Sequence, residues 1–204
     1  MGERDAHRRL PLHGRLRLPE LPWRILLVVK DLKAVVKQSG QGNPVGGVNL
    51  TIHEGKVYAI MGKNGSGKLT FSKVLVSHPN YEVTGSSVLF KDQNLLEMEP
   101  EDRSHVGLFM SFQTPVEIAG VSDFGFLLMA FTSQRSNHGL PLVEPLEFYS
   151  LVTPKVAASN MNPKFVDRNV NEIFNGGEMK WNEILQLAVC ILTLLLYDKI
   201  NPSQ

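Results

Sequence analysis

The chain has 204 residues, 43% hydrophobic and 20% charged, with 21 Lys plus Arg against 20 Asp plus Glu and a single cysteine, Cys190. A chain of this size and composition can bury a core without disulfide or metal support, and a net charge of +1 argues against nucleic-acid binding through bulk charge. One cysteine excludes an internal disulfide framework and suggests a reducing compartment, and the longest apolar run, Ile184–Leu196, is too short to span a bilayer.

Residues 1–24 hold six arginines, no lysine and no serine, with prolines at Pro11, Pro19 and Pro22. An organelle transit peptide is rich in Arg and Ser and poor in acid. This segment has the arginine, lacks the serine and carries Glu3, Asp5 and Glu20, so a disordered extension fits it as well as a transit peptide does.

From Ile25 the pattern changes. Ile25–Val29 reads as a strand, and Lys33–Lys37 as a second short one. Lys37–Gly47 is a polar, Gly-rich loop. Val48–Ile52 alternates like a half-buried strand, and His53–Lys56 turns the chain. Val57–Met61 is a nearly continuous apolar run, the pattern of a central parallel strand. Gly62–Gly67 is a glycine loop, and Lys68–Ser77 the helix after it. Ser87–Phe90 is a further strand, Pro100–Arg103 a helix start with Pro in the first turn, and Leu108–Phe112 a strand running into Gln113. Residues 122–170 read as mainly helical, interrupted by Pro141, Pro145, Pro154 and Pro163. A helix opens at Asn175–Glu178 and runs to about Val189, and Leu192–Tyr197 is a buried strand. The order predicts an α/β architecture: a strand-rich N-terminal part, a helical insertion and a return to the sheet.

Gly62-Lys63-Asn64-Gly65-Ser66-Gly67-Lys68 fits G-x-x-x-x-G-K, the first seven positions of a phosphate-binding loop. Glycines let the backbone wrap so that its N–H groups converge on phosphate oxygens, and the helix that follows adds its positive dipole end. Lys68 supplies a point charge. A Gly-rich turn with an exposed lysine is the plainer reading, and the strand-loop-helix context weighs against it. The next position asks for Ser or Thr as a Mg²⁺ ligand, and here it is Leu69. Thr70, one residue on, points roughly 100° away around a helix and can touch a phosphate but replaces the ligand poorly. ATP binding survives such a change on this reading, and Mg²⁺ binding is weakened.

The loop, Phe112-Gln113 and Asn175-Gly176-Gly177-Glu178 together resemble an ABC ATPase. His78–Gly85, Gly107–Gln113, Pro115–Ile118 and Asn182–Gln186 are similar to SufC, the soluble ABC ATPase of the Suf iron–sulfur cluster assembly system. Met98–Ser104 resembles its plant plastid form. The resemblance covers about residues 25–200. It implies a P-loop NTPase core with an antiparallel N-terminal β subdomain and a helical subdomain at about 122–190. It implies that Gln113 is the Q-loop glutamine, which senses Mg²⁺ and the γ-phosphate. Gly176 and Gly177 match the signature glycines, with N–H groups facing a nucleotide held by a second subunit. Asp198, after Leu194–Tyr197, matches the Walker B aspartate that holds Mg²⁺. SufB- and SufD-like scaffold proteins and an intact SufC-like subunit are the implied partners. The plastid stroma is the implied location, with the cytoplasm as the alternative.

The departures fall on catalytic positions. Asn175 replaces the signature serine, and Met179 and Trp181 replace basic residues. Lys199 stands where the family has the glutamate that polarises the attacking water. An ammonium cannot orient water as a carboxylate does, so this exchange should cost several kcal/mol of barrier, and no catalytic residue is intact. Asn201 replaces the D-loop aspartate, and the switch histidine has no counterpart, so the chain reads as a truncated member with an incomplete central sheet. Exposed apolar edges and marginal stability are then expected. Three readings stay open: an active ATPase, a module that binds ATP without useful turnover, and a non-enzymatic truncated product or partner-binding fragment of the Suf scaffold system.

Overall fold

The computed structural model describes residues 24–37, 45–112, 114–190 and 192–197. Gln113, Asp198, Lys199, Asn201 and all but the last residue of the Arg-rich leader lie outside the described residues. In chain order the elements are β1 (Ile25–Val36), β2 (Val45–His53), α1 (Lys68–Leu75), β3 (Tyr81–Phe90), β4 (Gln93–Asn94), α2 (Pro100–His105), β5 (Leu108–Ser111), β6 (Ile118–Ser122), α3 (Asp123–Asn137), α4 (Pro145–Ala158), β7 (Asn169–Val170), α5 (Gly176–Val189) and β8 (Leu194–Tyr197). Among the described residues the strands form an antiparallel sheet in the order β2-β1-β3-β4, a parallel pair β5-β8 and an antiparallel pair β6-β7.

The two short strands expected at 25–29 and 33–37 are one strand. Asp31 sits at φ 49°, and the β1–β2 register shifts between Val29 and Leu32. A bulge adds a residue and reverses which parity faces inward. Leu27 and Val29 are therefore buried before it, and Leu32 and Ala34 after it. The break in alternation reflects this bulge. β3 begins six residues earlier than expected, at Tyr81. Its first half is polar and glycine-containing, and pairing of Val83 with Ala34 and of Tyr81 with Val36 carries it.

The sheet packs on α1 through Phe71, Val74 and Leu75, with Val88, Phe90, Leu95 and Leu108 completing the core. A second core lies in the helical subdomain, where Leu127, Phe148, Val152, Phe174, Leu185 and Val189 meet. Phe148 makes ring contacts with Phe124 at 5.4 Å and Phe131 at 5.5 Å. α3 starts on Ser122, whose side chain accepts from the Gly125 N–H, and α4 starts on Pro145 at its first turn. The prolines at 141, 145 and 163 fall outside helices or at their starts, while Pro154 is carried inside α4.

The structure does not make Val57–Met61 a strand. Residues 56–63 are irregular, Val57 is fully exposed and Met61 is 87% exposed. An apolar run becomes a central parallel strand only when neighbours bond both its edges and helices cover its faces. Among the described residues β8 pairs with β5 alone, so the run has no ladder to join. Tyr58 is tied back instead: the His53 N–H donates to its hydroxyl at 3.1 Å, and His53 Nδ1 lies 2.8 Å from the same oxygen.

Candidate nucleotide-binding site

The glycine loop folds locally as its residues dictate. Gly65 and Gly67 take φ of 79° and 85°, where a Cβ is unfavourable, and Gly67 caps α1 in the left-handed conformation. The Ser66 N–H bonds the Lys63 carbonyl at 3.1 Å, and Phe71 N–H bonds Gly67 at 2.8 Å. Lys68, the first residue of α1, turns back into the loop. Its Nζ donates to the carbonyls of Gly62 at 2.7 Å and Lys63 at 2.9 Å and to Ser66 Oγ at 3.3 Å. A Cβ on Gly62 would lie 2.7 Å from Ser66 Oγ, so a side chain there would turn the serine hydroxyl aside. Asn64 and the loop glycines are exposed or nearly so, and Leu69 and Thr70 are partly buried on the first turn of α1.

The loop therefore presents backbone amides, a helix start without an acidic residue in its first turn and an ammonium to one small volume. Those are groups a polyphosphate needs, and ATP phosphates fit them. Leu69 offers no side-chain oxygen, Asp198 and Gln113 are outside the described residues, and no group of three or more His, Cys, Asp or Glu among the described residues could hold a metal.

The signature segment forms a capping box. Asn175 Oδ1 accepts from the N–H groups of Gly177 at 2.9 Å and Glu178 at 3.0 Å, and Glu178 Oε2 accepts from Asn175 N–H at 2.9 Å. The Gly177 N–H is thus already engaged by Asn175. An anion arriving at this helix start would compete with that side chain for the amide.

The ends of β5 and β8 lie side by side, with Ser111 opposite Tyr197 in the parallel register. Both strands thus end at the carboxyl edge of a parallel pair, the edge where α/β proteins bind ligands. Lys180 on α5 bridges this edge. Its Nζ donates to the Phe112 carbonyl at 3.3 Å and to Glu183 Oε2 at 2.6 Å, and it sits 5.9 Å from the centre of the Tyr197 ring. The signature helix is so tied to the residues preceding both 113 and 198. Lys180 falls in no motif of the sequence, and Glu183 only within the SufC-like stretch Asn182–Gln186, without a role. Their signal is local, a basic residue and an acid three positions apart on one helix face, but nothing local says what carbonyl the ammonium meets.

Leu194 and Leu196 of β8 pack against the core that holds Phe71, Val74 and Leu75 of α1. The loop and the β5–β8 edge are thus founded on one core, without a hydrogen-bonded ladder between the Val57–Met61 run and β8. Trp181, at a position where the resemblance implies a basic residue, is 41% exposed on α5.

Comparison with known proteins fits this geometry. The ABC transporter family model matches residues 45–200. The chain is 58% identical over 178 residues to ABC transporter I family member 6, chloroplastic, of Arabidopsis thaliana, covering 87% of this chain and 52% of that protein. It thus spans about half the length of that relative. It is 52% identical to the probable ATP-dependent transporter ycf16 of Cyanophora paradoxa, covering 87% of this chain and 68% of that one. It is 43% identical to the probable ATP-dependent transporter SufC of Escherichia coli, covering 87% and 71%. Among solved structures, a dimeric post-hydrolysis ATP-binding cassette, MJ0796 bound to ADP and Pi, superposes with a TM-score of 0.71 at 16% identity, over 85% of this chain and 74% of that one. That likeness is one of fold. The chain belongs to the ABC transporter family, as a SufC-type, plastid-like ABC ATP-binding domain.

Proposed function

We propose that the chain binds ATP at residues 62–68 and turns it over slowly or not at all. The observation that carries the reading is Lys68 folded back onto the glycine loop at the start of α1. On binding, Lys68 exchanges its bonds to the Gly62 and Lys63 carbonyls for phosphate oxygens. The amides of Gly65 and Gly67 orient the same oxygens, and that of Ser66 joins them on leaving the Lys63 carbonyl, with Asn64 at the rim and Thr70 one residue past the missing hydroxyl. Mg²⁺ would supply charge neutralisation at the terminal phosphates. Leu69 leaves Asp198 and Gln113 as its protein ligands, so its binding is weakened. Lys199 replaces the carboxylate that would orient water, so the chemical step lacks its base.

The partners that fit this reading are SufB- and SufD-like scaffold proteins and a SufC-like subunit. Support comes from the helical subdomain, where Leu142, Leu146 and Tyr149 are 67%, 81% and 52% exposed along the start of α4, with Met129 60% exposed on α3. Apolar side chains gathered so on one subdomain suit a protein surface. Asn175, Gly176, Gly177 and Glu178 would face the nucleotide of the second subunit. A plastid location is the one the chloroplastic relative supports. The second reading, a partner-binding fragment without nucleotide chemistry, is favoured by the unpaired Val57–Met61 run immediately before the loop.

Equilibrium binding of a fluorescent ATP analogue to the full chain, with and without Mg²⁺, separates the two. Saturable binding that Lys68→Ala weakens at least about tenfold supports ATP binding, and no binding at millimolar nucleotide leaves the fragment reading. Restoring Leu69→Ser and Lys199→Glu together should raise turnover above that of the parent. An unchanged rate would show that these two residues do not limit it.

A further inference from the structure

A buried polar cluster joins α3, α5 and the turn before α5. Asp123 opens α3, Asn182 lies in the second turn of α5, and Asn171 follows β7 at φ 57°. Asp123 and Asn182 are 0% exposed and Asn171 is 3% exposed. Asn182 Nδ2 donates to Asp123 Oδ1 at 2.9 Å and to Asn171 Oδ1 at 3.0 Å. Asn171 Nδ2 in turn donates to the carbonyl of Val116, in the segment that follows residue 113. Both amide hydrogens of Asn182 are thereby spent.

The donor count does not balance. Asp123 Oδ2 and Asn182 Oδ1 are buried acceptors that no donor among the described residues reaches. An ionised carboxylate in this place would leave a buried charge holding a single side-chain hydrogen bond, which is costly. A carboxylic acid has the missing donor. Acid and amide are complementary: the amide N–H bonds the acid carbonyl, and the acid O–H bonds the amide carbonyl, closing a ring. The Asn182–Asp123 bond already supplies one side of it.

We propose that in mildly acidic solution Asp123 carries a proton in the folded chain and donates it from Oδ2 to Asn182 Oδ1, so that one proton pins helix α5 to α3 and, through Asn171, to the segment after residue 113. The charged groups nearby are committed elsewhere. On α5, Lys180 and Glu183 pair with each other, and Glu178 caps Asn175. On the turn, Arg168 donates to the carbonyls of Glu172 and Ile173 and lies against the rings of Phe165 and Phe174, and Glu172 accepts from Asn169. At the far end of α3, Arg135 bonds the Pro141 carbonyl. No ion pair among the described residues includes Asp123. Burial pushes its carboxyl up to about 6, against the opposing effect of the Asn182 hydrogen bond.

The sign of the linkage follows. The folded chain holds this proton more tightly than the unfolded chain, whose Asp titrates at about 3.9. Stability from this site is complete below the unfolded value and is lost as pH rises through about 6. Asparagine at 123 has the same shape, donates where the acid O–H did, and never ionises. Asp123→Asn in the full chain should therefore melt about 3 °C or more above the parent at pH 8, by roughly half that margin at pH 5, and within about 1 °C of it only near pH 3.5. The Asp123 carboxyl carbon of the parent, followed by ¹³C NMR, should titrate with a midpoint well above that of an ordinary aspartate. A variant that fails to fold, or that melts below the parent at pH 8, overturns the proposal. So does a carboxyl midpoint near 4, whatever the variant does.

Discussion

Arg103 reaches from α2 to the carbonyls of Val74 at 3.2 Å and Leu75 at 2.9 Å, at the end of α1, and to that of Met98 at 3.0 Å. It is only 4% exposed, and burial lowers the affinity of its guanidinium for its proton. It closes the end of the helix that begins with Lys68, so the loop lysine and this arginine hold opposite ends of one short element. Arg103→Met keeps the length and loses every donor, leaving three carbonyls without this partner. A loss of about 2–4 kcal/mol is expected in urea unfolding. Gly107 is a sharper case. It sits at φ 92°, and a Cβ would lie 2.5 Å from Thr193 Oγ1 and 2.8 Å from Thr193 N. Gly107→Ala should cost at least about 2 kcal/mol by the same measurement, because both the backbone and the neighbour resist it. Neither role is visible in the sequence. The motif at 62–68 is contiguous and needs only its own residues to be read, whereas Arg103, Lys180 and Asp123 act on groups far along the chain. Asn182 and Asp123 are 59 residues apart, and nothing in either neighbourhood names the other.

The elements tell a similar story. Helices α2, α3 and α5 begin where their starting residues indicate: Pro100, Ser122 and Asn175 are local signals and act locally. Strands were harder, because a strand is defined by what lies beside it. β3 owes its polar half to β1, and β1 hides its continuity behind the bulge at Asp31. Val57–Met61 has the composition of a core strand and lacks the neighbours. This distinction is measurable. In a paired central strand, Val57→Ser with Met61→Gln would cost several kcal/mol. With both side chains in solvent, the pair should change stability by no more than about 0.5 kcal/mol and should reduce aggregation on heating, as followed by light scattering. A large loss of stability would mean that the run is paired in solution.

The molecule has two cores, and the boundary between them is polar. His105 lies 2.8 Å from Ser133, Gln134 Nε2 donates to the Ser104 carbonyl at 3.3 Å, and Lys180 meets Phe112. A cavity of about 270 Å³, lined by His105, Phe109, Phe126 and Cys190 among others, opens along the same seam. Burial in that wall pushes the Cys190 thiol up to about 11, so it stays protonated and unreactive near neutrality. A void and polar bridges along a boundary favour separate opening of the two sides. Hydrogen exchange should find that the buried amides of α3 and α5 exchange together, and at a different free energy from those of β1 and β3. One shared value for all of them would show a single cooperative unit. The sequence announced the two parts by their change of pattern near residue 122. It gave no sign of the seam, which is a property of surfaces that meet only after both halves have formed.

The stretch from Lys56 to Lys63 is irregular and exposed, a shape that proteases accommodate readily. A cut after Lys63 would divide the chain between β2 and α1. The two pieces would still be held by the ladder between β1 and β3, which runs from Leu27 opposite Phe90 to Val36 opposite Tyr81. A nicked molecule would then migrate as two bands under denaturing conditions and elute as one species under native ones. Fragment complementation is thus built into the topology: residues before the loop and residues after it can be made separately, mixed, and asked whether the sheet alone reunites them.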